Sequence, residues 1–381
     1  MKYGKLTVAT LLFSFACSYS ATAYETTARN AILMDFDTGE YLYEKNITEA
    51  VPPASMSKLM TVYILMSKIK DKSVKLDDTF SVSENAWRKG GAATGGSTMF
   101  LSIGDNVSVE NLIKGIVIQS GNDACIVVAE NISGSEEDFA VLMNKTAKQL
   151  GLKNSSFANS TGLPHPDQKM SMEDLAILSR HIIKEFPDLY HYFSEKEFVY
   201  NNIKQGNRNP LLYSMKGADG LKTGHTEEAG FCLAASATKG DRRLIGVMSG
   251  MSSNKERSEE SERLISWGFR EFNNYKMFNK GQVLATAKVW YGKDKTIDLT
   301  VDEDVVKTLP VSAAENVEVS AEFDEPIKAP IIAGTKLGEL KISIKDGEAV
   351  SLPLVAAKDV QKVGLWGRFW ANVKYFVFGA K

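Results

Sequence analysis

Residues 51–58 read Val51-Pro52-Pro53-Ala54-Ser55-Met56-Ser57-Lys58. The two prolines favour a helix that begins just beyond them. In such a helix, Ser55 and Lys58 lie three residues apart on one face, close enough to touch. A serine hydroxyl becomes an effective nucleophile when a base removes its proton, and a lysine is such a base when burial or a nearby cation lowers its pKa. The stretch therefore indicates a serine–lysine catalytic pair.

The Ser-x-x-Lys spacing is not specific by itself. It recurs at Ser67/Lys70, Ser236/Lys239 and Ser252/Lys255, where a solvated surface pair is the simpler interpretation. Ser67/Lys70 falls at the Lys-rich end of a predicted helix, and Ser236/Lys239 runs from a predicted strand into a turn. Neither pair begins a helix as Ser55 does.

Two further short motifs follow along the chain. Ser120-Gly121-Asn122 interrupts an apolar run, and buried polar side chains need partners or a ligand. Lys222-Thr223-Gly224 places a cation beside a glycine that permits close approach of another backbone. The motifs Ser-x-x-Lys, Ser-x-Asn and Lys-Thr-Gly occur in this order, separated by 65 and 102 residues. Serine β-lactamases and penicillin-binding proteins carry the same trio.

Length and composition exclude several classes of protein. The chain has 381 residues, of which 44% are hydrophobic and 24% charged, which is ordinary for a soluble globular protein and excludes a disordered chain, a collagen-like fibre and a polytopic membrane protein. This length predicts two or three domains. The formal net charge of -2 gives no reason to expect nucleic acid as a partner.

Residues 1–23 have the pattern of a secretory signal peptide. Lys2 and Lys5 precede an apolar run over 6–16, and Ala21-Thr22-Ala23 supplies the small residues of a cleavage site after Ala23. An uncleaved anchor is the alternative, but the apolar run is about half the length needed to span a bilayer. The protein is therefore predicted to be exported. Although export favours disulfides, Cys125 and Cys232 each lie in an apolar run and are predicted to be free, buried thiols.

Residues 24–278 are predicted to form an α+β catalytic domain with helices on an antiparallel sheet. Apolar spacing predicts helices over 57–70, 111–132, 136–150 and 258–272, a strand that runs into a turn over 31–39, and buried strands over 231–238 and 243–248. Residues 279–357 are predicted to form a small all-β domain, because apolar residues alternate with period two in short runs such as 283–290, 296–301 and 317–323. This domain shows no catalytic constellation, so we interpret it as a spacer or interaction module.

Residues 358–381 differ from the rest of the chain. They contain five basic residues and one acidic residue, a net charge of +4. On a helical wheel, Val363, Trp366, Phe369 and other apolar residues share one face. We expect an amphipathic helix that lies in a membrane interface. The alternative is a helix that packs on its own domain.

The longer stretches around the motifs carry a family resemblance over about residues 27–275. Residues 53–61, 119–124, 151–154, 220–226 and 267–269 closely resemble the low-molecular-mass penicillin-binding D-alanyl-D-alanine carboxypeptidases, peptidase family S11. The resemblance implies a β-lactamase/transpeptidase-like fold. It implies removal of the terminal D-alanine from peptidoglycan stem pentapeptides through an acyl-enzyme on Ser55, covalent binding of β-lactam antibiotics, and no metal or cofactor. It also implies a peripheral location on the periplasmic face of the bacterial inner membrane.

The same resemblance implies residue roles. Ser55 resembles the family's nucleophile, Lys58 its general base and Ser120 the proton shuttle to the leaving group. The substrate-binding residues implied are Asn122 for the peptide bond, Lys222 and Thr223 for the terminal carboxylate, Gly224 and His225 on a strand along the substrate, and Arg257 as a further carboxylate contact. The backbone N–H groups of Ser55 and His225 would form the oxyanion hole. Lys222 would also keep Lys58 neutral.

Other functions remain as alternatives. A D,D-endopeptidase acting on peptidoglycan crosslinks would share these motifs, and a non-catalytic wall-binding scaffold would share the fold. A class A β-lactamase needs a Glu-x-x-Leu-Asn element, which Glu173-Asp-Leu-Ala does not match. A zinc hydrolase is disfavoured because the four histidines lack ligand spacing. Gly90-Gly91 and Gly95-Gly96 predict a mobile loop that borders the site.

Overall fold

The computed structural model describes residues 4–7, 24–313, 317–344, 350–366, 369 and 373. The chain divides into two compact units, residues 22–270 and residues 1–21 with 271–381. Within the described residues, no helix is both long and apolar enough to cross a membrane.

The secondary-structure elements are numbered in chain order. The strands are β1 (Gly4–Thr7), β2 (Asn30–Asp35), β3 (Tyr41–Lys45), β4 (Thr79–Ser81), β5 (Asn106–Ser108), β6 (Glu197–Tyr200), β7 (Ile203–Gly206), β8 (Ala218–Thr226), β9 (Gly230–Lys239), β10 (Arg242–Met251), β11 (Phe272–Phe278), β12 (Val283–Trp290), β13 (Thr296–Thr300), β14 (Val305–Pro310), β15 (Val317–Phe323), β16 (Ile327–Lys328), β17 (Lys336–Ile344) and β18 (Val350–Ala356). The α-helices are α1 (Lys58–Lys70), α2 (Glu84–Gly90), α3 (Val109–Val117), α4 (Asn122–Ser133), α5 (Glu136–Gln149), α6 (Met172–Glu185), α7 (Leu211–Ser214) and α8 (Asn254–Glu271). Short 3₁₀ helices span Ala54–Ser57, Ala92–Thr94, Tyr190–Ser194 and Val311–Ala313.

The unit of residues 22–270 is built on an antiparallel sheet with strand order β3-β2-β10-β9-β8. Both faces of the sheet are covered, because alternate residues of β2 enter different cores. Ile32 and Met34 join the core that contains α1 and α3–α6, whereas Leu33 packs with Leu264 of α8. The predicted α+β class is confirmed, and so are the helices at 57–70 and 136–150 and the strands near 31, 231 and 243.

The single helix predicted over 111–132 is wrong. The structure has two helices, α3 and α4, separated by residues 118–121. Ser120 has φ of 61°, a left-handed conformation that interrupts helical hydrogen bonding. The apolar spacing continues through the break because both helices bury residues in the same core, so periodicity did not reveal the boundary. Helix α8 also begins at Asn254, four residues before the predicted start at 258.

The second unit contains a sheet with order β1-β15-β17-β18-β13-β12-β16 and the two-stranded ladder β11-β14. The predicted strands over 283–290, 296–301 and 317–323 are confirmed as β12, β13 and β15. Strand β11 pairs with β14, so residues 272–278 lie in this unit. The division between the units therefore falls at Arg270/Glu271, eight residues before the boundary inferred from sequence.

Residues 358–363 do not begin a helix, contrary to the prediction for 358–381. Val360 is buried in the core of the all-β unit and bridges Ile331, while Lys362 bridges Gly292. The N–H group of Val363 donates to the Tyr291 carbonyl. Backbone pairing and the burial of Val360 outweigh the helical spacing of the apolar residues here. Helical backbone begins at Leu365, and most of the predicted helix beyond it lies outside the described residues.

The predicted leader is also largely outside the described residues. Its described part, β1, pairs antiparallel with β15 at the edge of the sheet. Signal-peptide cleavage after Ala23 stays a prediction. Cys125 and Cys232 are free and buried as predicted, because each points into an apolar core.

Candidate active site

The first motif forms a direct contact between a hydroxyl and an amine. The 3₁₀ helix Ala54–Ser57 runs into α1, which brings Ser55 and Lys58 onto one face. Lys58 Nζ lies 2.8 Å from Ser55 Oγ and donates to the Thr161 carbonyl oxygen at 2.5 Å. Ser55 is partly exposed, whereas Lys58 is 1% exposed. A reagent in solvent can therefore reach the hydroxyl while the amine stays protected from water.

The second motif, Ser-x-Asn, and the third, Lys-Thr-Gly, also form a contact between a hydroxyl and an amine. Ser120 lies in the break between α3 and α4, and Lys222 is on β8, the last strand of the sheet. Lys222 Nζ donates to Ser120 Oγ at 3.0 Å and to the Thr223 carbonyl at 3.1 Å. Both side chains are buried. Residues that are 102 positions apart in sequence thus form a second hydroxyl–amine pair.

Burial lowers the pKa of both lysines. Desolvation is the main cause for Lys58, whose pKa falls to about 8, and Arg208 lowers it further. The pKa of Lys222 is held well below its usual value by burial and then by the positive charge of Lys58. Because the charge of one amine opposes protonation of the other, the pair holds one proton more readily than two. One lysine is therefore available as a neutral base near neutral pH.

Glycines permit the close approach of the elements around Ser55. A Cβ on Gly224 would lie 3.1 Å from the Pro53 carbonyl oxygen and from Ala54 Cβ, so β8 passes directly beside the 3₁₀ helix. Gly162 has φ of 78°, and a Cβ there would lie 2.1 Å from the Ala54 carbonyl oxygen. Larger residues at either position would displace the turn that carries the serine.

The structure brings the other predicted binding residues to the same region. Asn122 is the first residue of α4 and is buried, and Thr223 is buried next to Lys222 on β8. His225, at the exposed end of β8, packs against Phe231 with ring centroids 4.0 Å apart and the ring planes tilted by 34°. Thr223, Gly224 and His225 thus occupy successive positions on the strand, as the resemblance implied.

Arg257, predicted as a further carboxylate contact, is buried. Its Nη1 lies 3.5 Å from the carbonyl oxygens of Gly224 and Cys232, and its guanidinium lies over the Phe231 ring. Desolvation lowers its pKa to about 10. Among the described residues, its Nε has no hydrogen-bond partner. The side chain packs against β8 and β9, and its Nη2 donates to Asn254 Oδ1, whereas its Nε is itself buried.

Three residues near the site were not predicted from sequence. Arg208 donates from Nη1 to Ser97 Oγ, and its charge lowers the pKa of Lys58, Lys222 and Arg257. Thr161 supplies the carbonyl that orients Lys58. Asp123 is completely buried and accepts hydrogen bonds from Thr98 and from backbone N–H groups. Asp123 could have been found, because an acid directly follows Asn122 in an apolar run, whereas Arg208 and Thr161 carry no local signal.

The glycines at 90, 91, 95 and 96 lie beside the site, but they do not form one continuous loop: Gly90 ends α2 and residues 92–94 form a 3₁₀ helix. A Cβ on Gly90 would lie 2.3 Å from the Asp123 nitrogen, and one on Gly96 would lie 3.0 Å from Asn122 Nδ2. Two of the histidines have other contacts: His181 is paired with Glu185, and the His191 ring packs against the Tyr192 ring.

The arrangement suits acyl transfer to a hydroxyl. It provides a reachable serine with a buried amine as base, a second hydroxyl bonded to another amine, and cationic side chains beside a strand edge. A substrate with a terminal carboxylate matches that charge.

Comparisons with known proteins agree with this geometry. Residues 17–253 match the D-alanyl-D-alanine carboxypeptidase family, S11, and residues 272–362 match the C-terminal domain of penicillin-binding protein 5. The chain is 40% identical to D-alanyl-D-alanine carboxypeptidase DacC of Escherichia coli (strain K12) over 360 residues, covering 94% of this chain and 90% of that protein. It superposes on penicillin binding protein 5 from Haemophilus influenzae with a TM-score of 0.83 and 36% identity, covering 90% of this chain and 100% of that one. It also resembles penicillin-binding protein D2 from Listeria monocytogenes in an ampicillin-bound form, with a TM-score of 0.56 and 28% identity, covering 65% of this chain and 99% of that one. The chain therefore belongs to the D-alanyl-D-alanine carboxypeptidase family, peptidase family S11.

Proposed function

We propose that this protein removes the terminal D-alanine from peptidoglycan stem pentapeptides through an acyl-enzyme on Ser55. The observation that carries the proposal is the 2.8 Å contact between the partly exposed Ser55 hydroxyl and the buried amine of Lys58. Family membership supports the reaction class. β-Lactams would acylate the same hydroxyl, because they present an amide and a carboxylate in similar positions.

The first step is acylation. Neutral Lys58 takes the Ser55 proton as Oγ attacks the carbonyl carbon between the two terminal D-alanines. The Thr161 carbonyl holds the amine in place during this transfer. The backbone N–H groups of Ser55 and His225 stabilise the negative oxygen that forms, and loss of one such donor typically costs about 3 to 4 kcal/mol.

The second step expels D-alanine. The nitrogen of the leaving D-alanine needs a proton as the amide bond breaks. Ser120 is suited to pass on the proton taken up by Lys58. Because its Oγ accepts a hydrogen bond from Lys222, its own O–H remains able to donate to that nitrogen. Water then attacks the acyl-enzyme, with Lys58 again as base, and releases the shortened peptide and free Ser55. Asn122 holds the substrate amide throughout.

The terminal carboxylate binds at the cationic side of the site. Lys222 and Thr223 are its nearest partners in this proposal, with Arg257 and the unpredicted Arg208 adding positive charge. A bound carboxylate favours the shared proton on Lys222, which leaves Lys58 neutral. Substrate binding thereby prepares the base.

The location of the protein is part of the proposal. Residues 1–23 act as a signal peptide that directs export to the periplasm, and the terminal segment attaches the protein to the inner membrane surface. Support comes from Leu365, Trp366 and Phe369, which are 82%, 80% and 56% exposed despite their apolar character. The net charge of +4 over 358–381 suits an anionic lipid surface.

Purified mature protein tests the function directly. We expect D-alanine release from a stem pentapeptide to exceed cleavage of a crosslinked peptide dimer. Preferred cleavage of the dimer would identify an endopeptidase. Failure both to release D-alanine and to label with fluorescent penicillin would favour a wall-binding scaffold.

A further inference from the structure

The carboxylate of Asp123 is fully buried in the first turn of α4 and takes no part in the reaction described above. Its Oδ1 accepts from the N–H groups of Met99 and Ala124 at 2.8 and 2.9 Å. Its Oδ2 accepts from the Thr98 hydroxyl at 2.6 Å and from the Leu101 N–H at 3.1 Å. Three of these four donors belong to residues 98–101. Asp123 therefore joins that part of the chain to the start of α4.

Residues 97–101, here called the crossing segment, also contact residues proposed to bind substrate. The Ser97 carbonyl accepts from the Asn122 N–H at 2.8 Å. The Ser97 hydroxyl accepts from Arg208 Nη1. A displacement of the crossing segment would thus move the backbone of Asn122, and with it the side-chain amide, as well as the Arg208 guanidinium.

The β6–β7 hairpin holds the crossing segment through separate contacts. Asn201 Nδ2 donates to the Phe100 carbonyl at 3.0 Å, and Gln205 Nε2 donates to the Thr98 carbonyl at 3.1 Å. The crossing segment is therefore held by side chains from two elements, α4 and the hairpin. The hairpin side chains donate to carbonyl oxygens of the crossing segment, whereas Asp123 accepts from its N–H and O–H groups.

We infer that Asp123 is a positioning residue for this reaction: by fixing the crossing segment, it sets the placement of Asn122 and Arg208 toward the substrate. The inference rests on the proposed function. An amide cannot replace the carboxylate, because one of its two terminal atoms is itself a donor and would face donors of Thr98, Met99 or Leu101. Each unmet buried donor destabilises the crossing segment in its present position.

Asp123 also contributes negative charge near the base. The charged and titratable groups that shift the pKa of Lys58 are Asp123 and Cys125 from α4 and Arg208 from the chain before α7. The charge of Lys58 in turn lowers the pKa of Lys222 on β8. The Asp123 carboxylate raises the pKa of Lys58 against the lowering by burial. Removal of this charge should therefore lower the pKa of Lys58.

The test compares Asp123→Asn with the wild-type protein in D-alanine release and in the acylation rate constant for fluorescent penicillin. We expect KM to rise and the acylation constant to fall by about tenfold or more, because small misplacements of binding groups have effects of this size. The acidic limb of the pH–rate profile should move to lower pH. Asp123→Glu keeps the charge, so its acidic limb should stay at the wild-type position. A folded Asp123→Asn protein with wild-type KM and acylation constant would overturn the inference.

Two further variants decide the matter if Asp123→Asn does not fold. Thr98→Val removes, at nearly constant volume, the donor to Asp123 and the acceptor for the Phe100 N–H. Asn201→Gly removes one hairpin bond while accommodating the φ of 47°. Asn202→Gly is the matched control, because Asn202 lies in the same turn with φ of 58°. We expect Thr98→Val and Asn201→Gly to raise KM by about threefold, with Asn202→Gly unchanged; equal KM values in all three would overturn the inference. An inactive wild-type protein would instead contradict the proposed function.

Discussion

Lys58 Nζ lies 2.8 Å from Ser55 Oγ, and the two residues differ sharply in exposure to solvent. The amine is buried beneath the turn that leaves the hydroxyl accessible. Burial lowers the pKa of the amine to about 8, so a usable fraction is neutral near neutral pH.

Replacement of Lys58 by arginine should abolish base catalysis, because a guanidinium stays protonated. We expect the acylation rate constant for penicillin to fall by about 100- to 10,000-fold, the usual contribution of a general base. Lys70→Arg is the matched control, since Lys70 has the same Ser-x-x-Lys spacing at the exposed end of α1. Similar losses of acylation rate in both variants would show that the effect is not specific to Lys58, and would contradict its assignment as the base.

The activity should depend on pH through the lysine pair. Since the neutral amine is the active form, kcat/KM should rise with pH and level off above an apparent pKa of about 8. Below that pKa, the rate should fall about tenfold per pH unit. Steady-state assays on a stem pentapeptide between about pH 5 and 10 measure this acidic limb of the profile of kcat/KM against pH. A limb at the ordinary pKa of lysine would mean that burial does not tune this base.

Lys222→Gln should reduce discrimination for a terminal carboxylate. The wild-type protein should prefer a D-Ala-D-Ala peptide with a free carboxylate to the same peptide with a C-terminal amide. The variant should lose roughly 10- to 100-fold of that preference, the value of a hydrogen bond between charged groups. The ratio of kcat/KM for the two peptides is the measurement, because a general loss of activity cancels in it. An unchanged ratio would assign the carboxylate to another residue.

Truncation after Val363 should release the protein from membranes and leave its activity intact. Truncation after Ala357 should additionally destabilise the all-β unit, because it removes Val360 from the core and the bridge to Ile331. Membrane sedimentation and thermal unfolding of both forms separate the two effects. If the form ending at Val363 still sediments with membranes, the terminal segment is not the anchor.

The catalytic motifs could be predicted because their chemistry is local and their order is specific. Ser55 and Lys58 lie within one turn, and Lys222-Thr223-Gly224 adjoins a recognisable strand. The contact between Lys222 and Ser120 could be predicted only through the family resemblance, because no local sequence pattern specifies a contact across 102 residues.

Other features depended on tertiary structure and were missed. Arg208 lies in a short connection, and only packing brings its charge near the lysines. The break at Ser120 was hidden because the apolar spacing of α3 and α4 continues across it. Residues 358–363 were included in the predicted helix because of the apolar face that starts at Val363, yet backbone bridges to Gly292 and Ile331 keep these residues out of a helix.

The most direct test of the acyl-enzyme is the mass of the protein after reaction with a penicillin. We predict a single adduct of one penicillin per chain, located by peptide mapping on the peptide that contains Ser55. Ser55→Ala should form no adduct and should release no D-alanine from a pentapeptide. An adduct on another residue, or D-alanine release by Ser55→Ala, would contradict the assignment of Ser55 as the nucleophile.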